Sequence, residues 1–514
     1  MSGTRRMARA FMTVGAWTML SRVLGFGRDI LIALFLGAGP AADAFLVAFA
    51  LPNMFRRFFA EGAFNVAFVP MFSKRIERRD DAEAFARDAL TGLGAAVLAL
   101  VLLAQLFMPA FVLAMASGFA ADERLDLAVG MGRIVFPYIL FISLAALASG
   151  VLNAMGRFWA AAAAPVLLNI VLIAAMGGAA LLGGDVLQAL VWGVPLAGVA
   201  QLALVWQAAR RAGITLLPRR PRMTPELRRL ALIAAPAALA GGVVQVNLLV
   251  GRQVASYTEG AVAWLSYADR LYQLPLGVVG IAIGVVLLPD LSRRLAADDR
   301  AGSIATINRA TEFTLALTLP AAAALVVIPG PLVSVLFERG AFGPQDSAAT
   351  AAALAIYGLG LPAFVLQKVV QPVYFAREDT RTPFRFALVA MAVNAALAVG
   401  LAPVIGYLAA PVATTTAGWV MFALLLRGAR RIDGGIEPDA RLRRSALGML
   451  AASGAMALAV GAMAWALAPA LDAGGLRYLA LAGMVLAGAV VYAGVVHGTG
   501  AFTARDMRDM MRRG

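Results

Sequence analysis

Long apolar runs alternate with short charged connections along the whole chain. An α-helix needs about twenty apolar residues to cross roughly 30 Å of hydrocarbon. Stretches of that size lie near residues 10–36, 43–73, 89–116, 128–154, 159–182, 187–209, 229–255, 261–292, 310–337, 348–376, 384–402, 405–427, 445–468 and 476–497. The pattern predicts an all-α polytopic membrane protein with about fourteen transmembrane helices. Several runs exceed the minimum and are expected to tilt, bend or project beyond the lipid.

The connections carry their charge unevenly. Starting from an inside N-terminus, alternate connections hold Lys74, Arg75, Arg78 and Arg79, then Arg157, then Arg210 through Arg229. The series continues with Arg293, Arg294 and Arg300, with Arg377 and Arg381, and with Arg427 through Arg444. The opposite connections hold only Arg124, Arg339 and Arg477, beside acids such as Asp122, Asp185 and Asp472. Basic loops stay in the cytoplasm, so both termini are expected there, in a bacterial inner membrane. Residues 498–514 read as a short amphipathic helix on the inner surface.

Composition supports this class and removes others. The chain is 61% hydrophobic with a mean hydropathy of +0.82, which soluble domains do not reach. Its net charge of +15 lies in short loops rather than on one folded face, so nucleic acid is not an expected partner. There is no cysteine and His497 is the only histidine, which excludes disulfides and thiolate or imidazole metal clusters. Neither Lys74 nor Lys368 stands in a phosphate-binding loop, and no nucleophile elbow occurs. A membrane glycosyltransferase would place an acid near Asp43 but would also carry sizeable outer loops, which are missing here. No enzyme activity and no cofactor are expected.

An internal repeat divides the chain. AFVPMFSKR (67–75) resembles VLLPDLSRR (286–294), and further on Asn169 aligns with Asn394. The proline- and arginine-rich segment 214–228 separates the halves, giving an N-lobe over 1–213 and a C-lobe over 229–430. Six helices per half is an even number, so the halves share one orientation, as in alternating-access transporters with parallel repeats. Two extra helices within 431–497 lie outside the repeat.

Charged residues then appear where lipid forbids them. The first two runs contain Arg22, Arg28, Asp29, Asp43, Arg56, Arg57 and Glu61. An arginine near the bilayer centre costs about 2.5–3.5 kcal/mol on the lenient scale, so several together imply a wet, protein-lined chamber that holds an anion. Arg22, Gly25 and Asp29 share one helical face, and Gly25 with Gly27 offers a bend. Arg57 and Glu61 are spaced to pair, which leaves Arg56 uncompensated, and Pro52 is expected to kink the helix just before them. In the eighth run Asp269 and Arg270 are adjacent, Gln273 follows within one turn, and Pro275 supplies a second kink. Arg28, Arg56 and Arg270 are expected to face the chamber.

SRVLGFGRD (21–29), GAGPAADAF (37–45), LPNMFRRFFAEGAFNVAFVP (51–70) and YADRLYQLPLGVVGIAIGVVLLP (267–289) closely resemble the MurJ (MviN) family of bacterial lipid II flippases. That family belongs to the multidrug/oligosaccharidyl-lipid/polysaccharide exporter superfamily, and the likeness covers essentially the whole chain. It implies two six-helix lobes around a central cationic cavity, with the last two helices forming a groove for the lipid tail. By this resemblance Arg22, Arg28, Asp43, Arg56 and Arg270 fall on functionally important, substrate-binding positions. One position departs: many relatives carry an acid where this chain has Gln273.

The resemblance implies a flippase for lipid II, a polyprenyl diphosphate bearing a disaccharide-peptide, acting by alternating access in cell-wall synthesis. The implied partners are lipid II, membrane lipid and the cell-wall synthesis machinery, with the protein itself a monomer. Planar guanidinium groups match phosphate oxygens bidentately, which suits arginine better than lysine to this substrate. A drug or polysaccharide-lipid exporter of the same superfamily is the rival reading, although a clustered arginine set would repel cationic drugs.

Overall fold

The computed structural model describes residues 2–56, 63–78, 80–432 and 436–501; for 2–12, 63–66, 235–248, 278–286 and 288 it describes the backbone only. Arg57, Glu61 and the tail beyond residue 501 therefore lie outside the described residues. Nearly all described residues are helical, and among them the extended pairing is a single Arg339–Phe342 bridge. The chain divides into two compact units, Met1–Ala263 and Trp264–Gly514.

The first unit holds α1 (Ser2–Leu36), α2 (Pro40–Arg56), α3 (Ala63–Arg78), α4 (Ala82–Leu106), α5 (Met108–Met115), α6 (Arg124–Val135), α7 (Tyr138–Ala154), α8 (Trp159–Leu181), α9 (Val186–Arg211), α10 (Pro225–Ser256) and the first turn of α11 (Ala261–Ala296). Helix starts are set locally. Asp81, Asp185 and Thr224 each accept a hydrogen bond from an N–H of the first turn they cap, and Pro225 follows Thr224 where a missing N–H costs nothing. Helix α8 packs between α1 and α9, α2 lies on α6, and α10 lies on α3. Phe45, Phe68, Phe72, Phe136 and Tyr138 are fully buried among these contacts. The segment after α9 is docked rather than loose: Arg87 donates to the Thr215 carbonyl, the Arg219 N–H donates to Thr91, and Leu216 is buried. The first unit runs on to Ala263 because α10 and its C-terminal corner pack here. At that corner Gly118 comes so close to Ser256 that a Cβ would stand 2.5 Å from its carbonyl, so only glycine fits.

The second unit holds the rest of α11, then α12 (Arg300–Val327), α13 (Pro329–Phe337), α14 (Pro344–Phe375), α15 (Arg381–Ile405), α16 (Ala409–Arg431), α17 (Ala440–Ala466), α18 (Ala468–Asp472) and α19 (Leu476–Gly498). Helix α14 is flanked by α12 and α16, while α17 packs on both α12 and α19. Met449, Ala452 and Val496 close an apolar cluster with Ala316, and the Tyr492 hydroxyl donates to the Ala316 carbonyl at 2.9 Å. Charge reinforces the attachment at one end of α17. Glu312, enclosed on α12, forms ion pairs with Arg309 and Arg441, and Arg309 also binds Asp439, which caps α17.

Every apolar run expected from the sequence falls on helix wherever it is described. Three of them are broken well inside their length into two helices, at Phe107, at Phe136–Pro137 and at Ile328. A proline stands at each break, at 109, 137 and 329, ending one hydrogen-bond ladder and starting the next. Among the described residues nine segments are long and apolar enough to cross a membrane, one of them the joined α15–α16 segment Arg381–Arg431. The charged helices α1 and α11 are not among the nine.

Candidate functional site

Arg28 lies near the C-terminal third of α1 and is 5% exposed. Its Nη2 donates to the neighbouring Asp29 Oδ1 at 2.7 Å, and its Nε donates to the same oxygen at 3.0 Å. Its Nη1 donates to the Asn169 side-chain oxygen of α8 at 3.1 Å, and Phe49 of α2 lies 5.6 Å below the guanidinium. Asn169 in turn donates to the Ser21 carbonyl at 3.0 Å, one α1 turn below Gly25. A Cβ on Gly25 would sit 3.5 Å from Asn169, so this glycine lets α8 approach α1 closely. Helix α1 nevertheless runs unbroken through Gly25 and Gly27. The result is a fixed cation: an arginine whose geometry three helices specify.

The other cations of this unit stand differently. Arg22 is exposed and Arg56, at the end of α2, is half-buried, so the face shared by Arg22 and Asp29 spans two environments. Pro52 is buried inside α2, which continues past it as helix. Asp43 is fully enclosed. Its Oδ2 accepts Arg124 at 3.2 Å and the Gly260 N–H at 2.8 Å, while Oδ1 accepts the Ala263 N–H at 3.0 Å. The carboxylate therefore caps the start of α11, where the helix dipole favours negative charge. Arg124 is shared with Asp122 and the Thr258 carbonyl and lies 4.5 Å over Phe119. The loop carboxyl of Asp122 is held below the usual carboxylate range chiefly by its hydrogen bond from Arg124.

In the second unit α11 carries Asp269, half-buried, with Arg270 and Gln273 exposed. Gln273 donates to Asp269 across one turn, so the amide serves as a hydrogen-bond partner to the carboxylate that precedes it. Tyr272 packs against Tyr357 and Phe364 of α14 at ring-centroid distances of 4.9 and 5.8 Å. Trp264 fixes the start of this helix by donating to Asp346 at 2.8 Å. Pro275 lies within α11 without ending it.

Sequence reading missed two partners. Asn169 stood out only as a repeat position, and Arg124 only as a loop charge. Arg124 is 81 residues from Asp43, and no local periodicity links positions so far apart. Among the described residues no group of histidine, cysteine or acid side chains is arranged to hold a metal.

The family model described as "Lipid II flippase MurJ" matches residues 32–487. A relative from Rhizobium meliloti (strain 1021), described as "Probable lipid II flippase MurJ", is 46% identical over 520 residues, which cover 99% of this chain and 97% of the relative. A solved structure titled "Lipid II flippase MurJ, inward closed conformation" has a TM-score of 0.79 at 25% identity, covering 94% of this chain and 98% of that one. An inward-facing multidrug-resistance MATE transporter of the MOP superfamily shares the fold, with a TM-score of 0.61 at 15% identity over 82% of this chain and 98% of its own.

Proposed function

The chain belongs to the lipid II flippase MurJ family, and on that premise we propose that it carries lipid II from the inner to the outer leaflet by alternating access. The observation that carries this reading is the exposure of Arg22 and Arg270 deep inside long helices. Arg270 lies about 14 Å along α11 from Ala261, and Arg22 about 21 Å along α1 from Leu36, at 1.5 Å per residue. A cation at such depth does not face hydrocarbon; it faces water enclosed by protein, where a diphosphate is the complementary charge.

In this reading Arg22, Arg28, Arg56 and Arg270 contact the diphosphate. Arg28 is held ready by Asn169, and the substrate exchanges with Asp29 for its Nε and Nη2 donors. Asp43 does its work through Arg124 and the first turn of α11. Gly25, Gly27, Pro52 and Pro275 supply the bending that the cycle requires, each at a weakened point of a helical hydrogen-bond ladder. Asp269 with Gln273 replaces the acid that many relatives carry, keeping one carboxylate in that turn.

The finer architecture belongs to the same proposal: fourteen crossings, an N-lobe over 1–213, a linker over 214–228, a C-lobe over 229–430, and α17 with α19 as a groove for the lipid tail. The uneven distribution of basic loops supports cytoplasmic termini in the inner membrane of a bacterium. The protein acts as a monomer, without cofactor or catalysis, and passes lipid II to the cell-wall synthesis machinery. A membrane that is negative inside favours outward movement of anionic substrate by about 2.3 kcal/mol per charge per 100 mV. The test is to deplete the protein and locate lipid II with an impermeant enzyme or lectin. Accumulation on the inner leaflet is expected, and an unchanged distribution would overturn the assignment.

A further inference from the structure

Arg339 and Arg477 form a second cationic centre, remote in sequence from the arginines of α1, α2 and α11. Arg339 follows α13 and Arg477 opens α19, and both guanidinium groups lie against the ring of Tyr478, at 5.9 and 5.3 Å from its centroid. Their terminal nitrogens are spent on neutral oxygens. Arg339 donates to the Val335 and Leu336 carbonyls at 2.8 and 2.7 Å. Arg477 donates to the Glu338 carbonyl at 3.2 Å and to the Tyr478 hydroxyl at 3.4 Å. The Nε of each is buried without an acceptor. Among the described residues neither guanidinium has a carboxylate within ion-pair distance, whereas Arg28, Arg124, Arg294 and Arg309 all do.

Two like charges that share one aromatic ring, each with an unsatisfied buried donor, are costly as they stand. Neutral carbonyls orient them but do not compensate them. An anion with several acceptor oxygens would remove both defects, because a small rotation of each side chain presents the Nε–Nη edge bidentately. Exposed Tyr478 leaves the centre open to the surroundings, and the flanking apolar helices α13 and α19 would suit a ligand with a hydrocarbon part. We propose that Arg339 and Arg477, with Tyr478 between them, form a binding site for a phosphate-type anion, supplied either by a phospholipid headgroup or by free phosphate. This site does not depend on the flippase assignment.

The experiment measures thermal unfolding of the full chain in a neutral detergent, with added dihexanoylphosphatidylglycerol, dihexanoylphosphatidylcholine or inorganic phosphate. The wild type is compared with Arg339→Gln/Arg477→Gln, with Arg339→Lys/Arg477→Lys, and with Arg381→Gln/Arg385→Gln at exposed positions elsewhere as a charge control. The readout is the ligand-induced shift in Tm, so a lowered baseline in a variant does not obscure it. A shift with phosphatidylglycerol alone assigns a lipid headgroup, and a shift with inorganic phosphate assigns free phosphate. In either case the Gln pair is expected to lose the shift, the Lys pair to keep part of it, and the control to keep all of it. Should the Gln pair respond as the wild type does, or the wild type respond to neither anion, the site does not exist.

Discussion

Asp43 and Arg124 meet at 3.2 Å in the interior of the first unit, both almost fully enclosed, although 81 residues separate them. The pair joins three corners of the chain: the start of α2, the start of α6 and the turn into α11. A buried ion pair is weak evidence for net stability, but removing one partner strands the other.

Asp43→Asn keeps the shape and removes the charge, and it is expected to lower the stability of the folded protein by about 1–3 kcal/mol. Thermal unfolding of Asp43→Asn, Arg124→Gln and the double variant gives the coupling between them. A double variant no worse than either single change supports the joint described here. Unchanged unfolding with lost substrate binding would instead make Asp43 a direct ligand.

Arg28→Ala removes the guanidinium that pairs with buried Asp29 at 2.7 Å, so protein abundance is expected to fall along with flipping. The neutral combination Arg28→Ala/Asp29→Asn separates the two effects. It is expected to recover abundance and to leave lipid II exposure at the outer surface at least tenfold below wild type, since about 1.4 kcal/mol already corresponds to tenfold. Flipping restored together with abundance would mean that Arg28 serves folding alone.

Arg22 and Arg270 are exposed, so replacing either with Gln is expected to leave abundance and unfolding temperature near wild type. Lipid II exposure per molecule of protein is expected to drop tenfold or more, with Lys at either position retaining an intermediate level because a point charge lacks bidentate geometry. Wild-type flipping by both Gln variants is the result that would remove these residues from the site.

Asp122 gives a pH prediction. Its folded-state pKa is depressed, so the stability it contributes is present above the ordinary carboxylate value of 3.8 and is lost as pH falls through the lower folded value. The stability difference between wild type and Asp122→Asn is expected to hold steady from pH 8 to pH 5 and to shrink only below about pH 4. Because this side chain is 40% exposed, the difference is small. A difference that collapses between pH 7 and pH 5 would contradict the assignment.

Orientation can be tested on a chain that contains no cysteine. Single cysteines at the exposed positions Ala301 and Ala440 are expected to resist an impermeant thiol reagent in spheroplasts, and those at Ala120 and Gly474 to react. The reverse pattern would invert the membrane topology and the direction of transport.

Apolar period and loop charge are local properties, and they were enough to place nearly every helix. A run of about twenty apolar residues has few alternatives in a bilayer, where each backbone polar group must be satisfied within its own helix. The kinks expected from sequence, at Pro52 and Pro275, lie in helices that continue past them, while the prolines at the three breaks, 109, 137 and 329, were not singled out. The charged residues inside the helices could be found by the same logic, because lipid makes any such residue exceptional. What each of them does was decided by neighbours far away in the chain. Arg28 and Arg22 are six residues apart on one helix, yet Asn169 and Phe49 enclose the first while the second stays exposed. Asp43 is occupied by donors from the turn into α11 and the start of α6, and Arg339 and Arg477 come together only because α13 and α19 pack side by side. Spacing along a helix assigns a face; the electrostatic partner on that face depends on which helix folds against it, and only the tertiary structure supplies that.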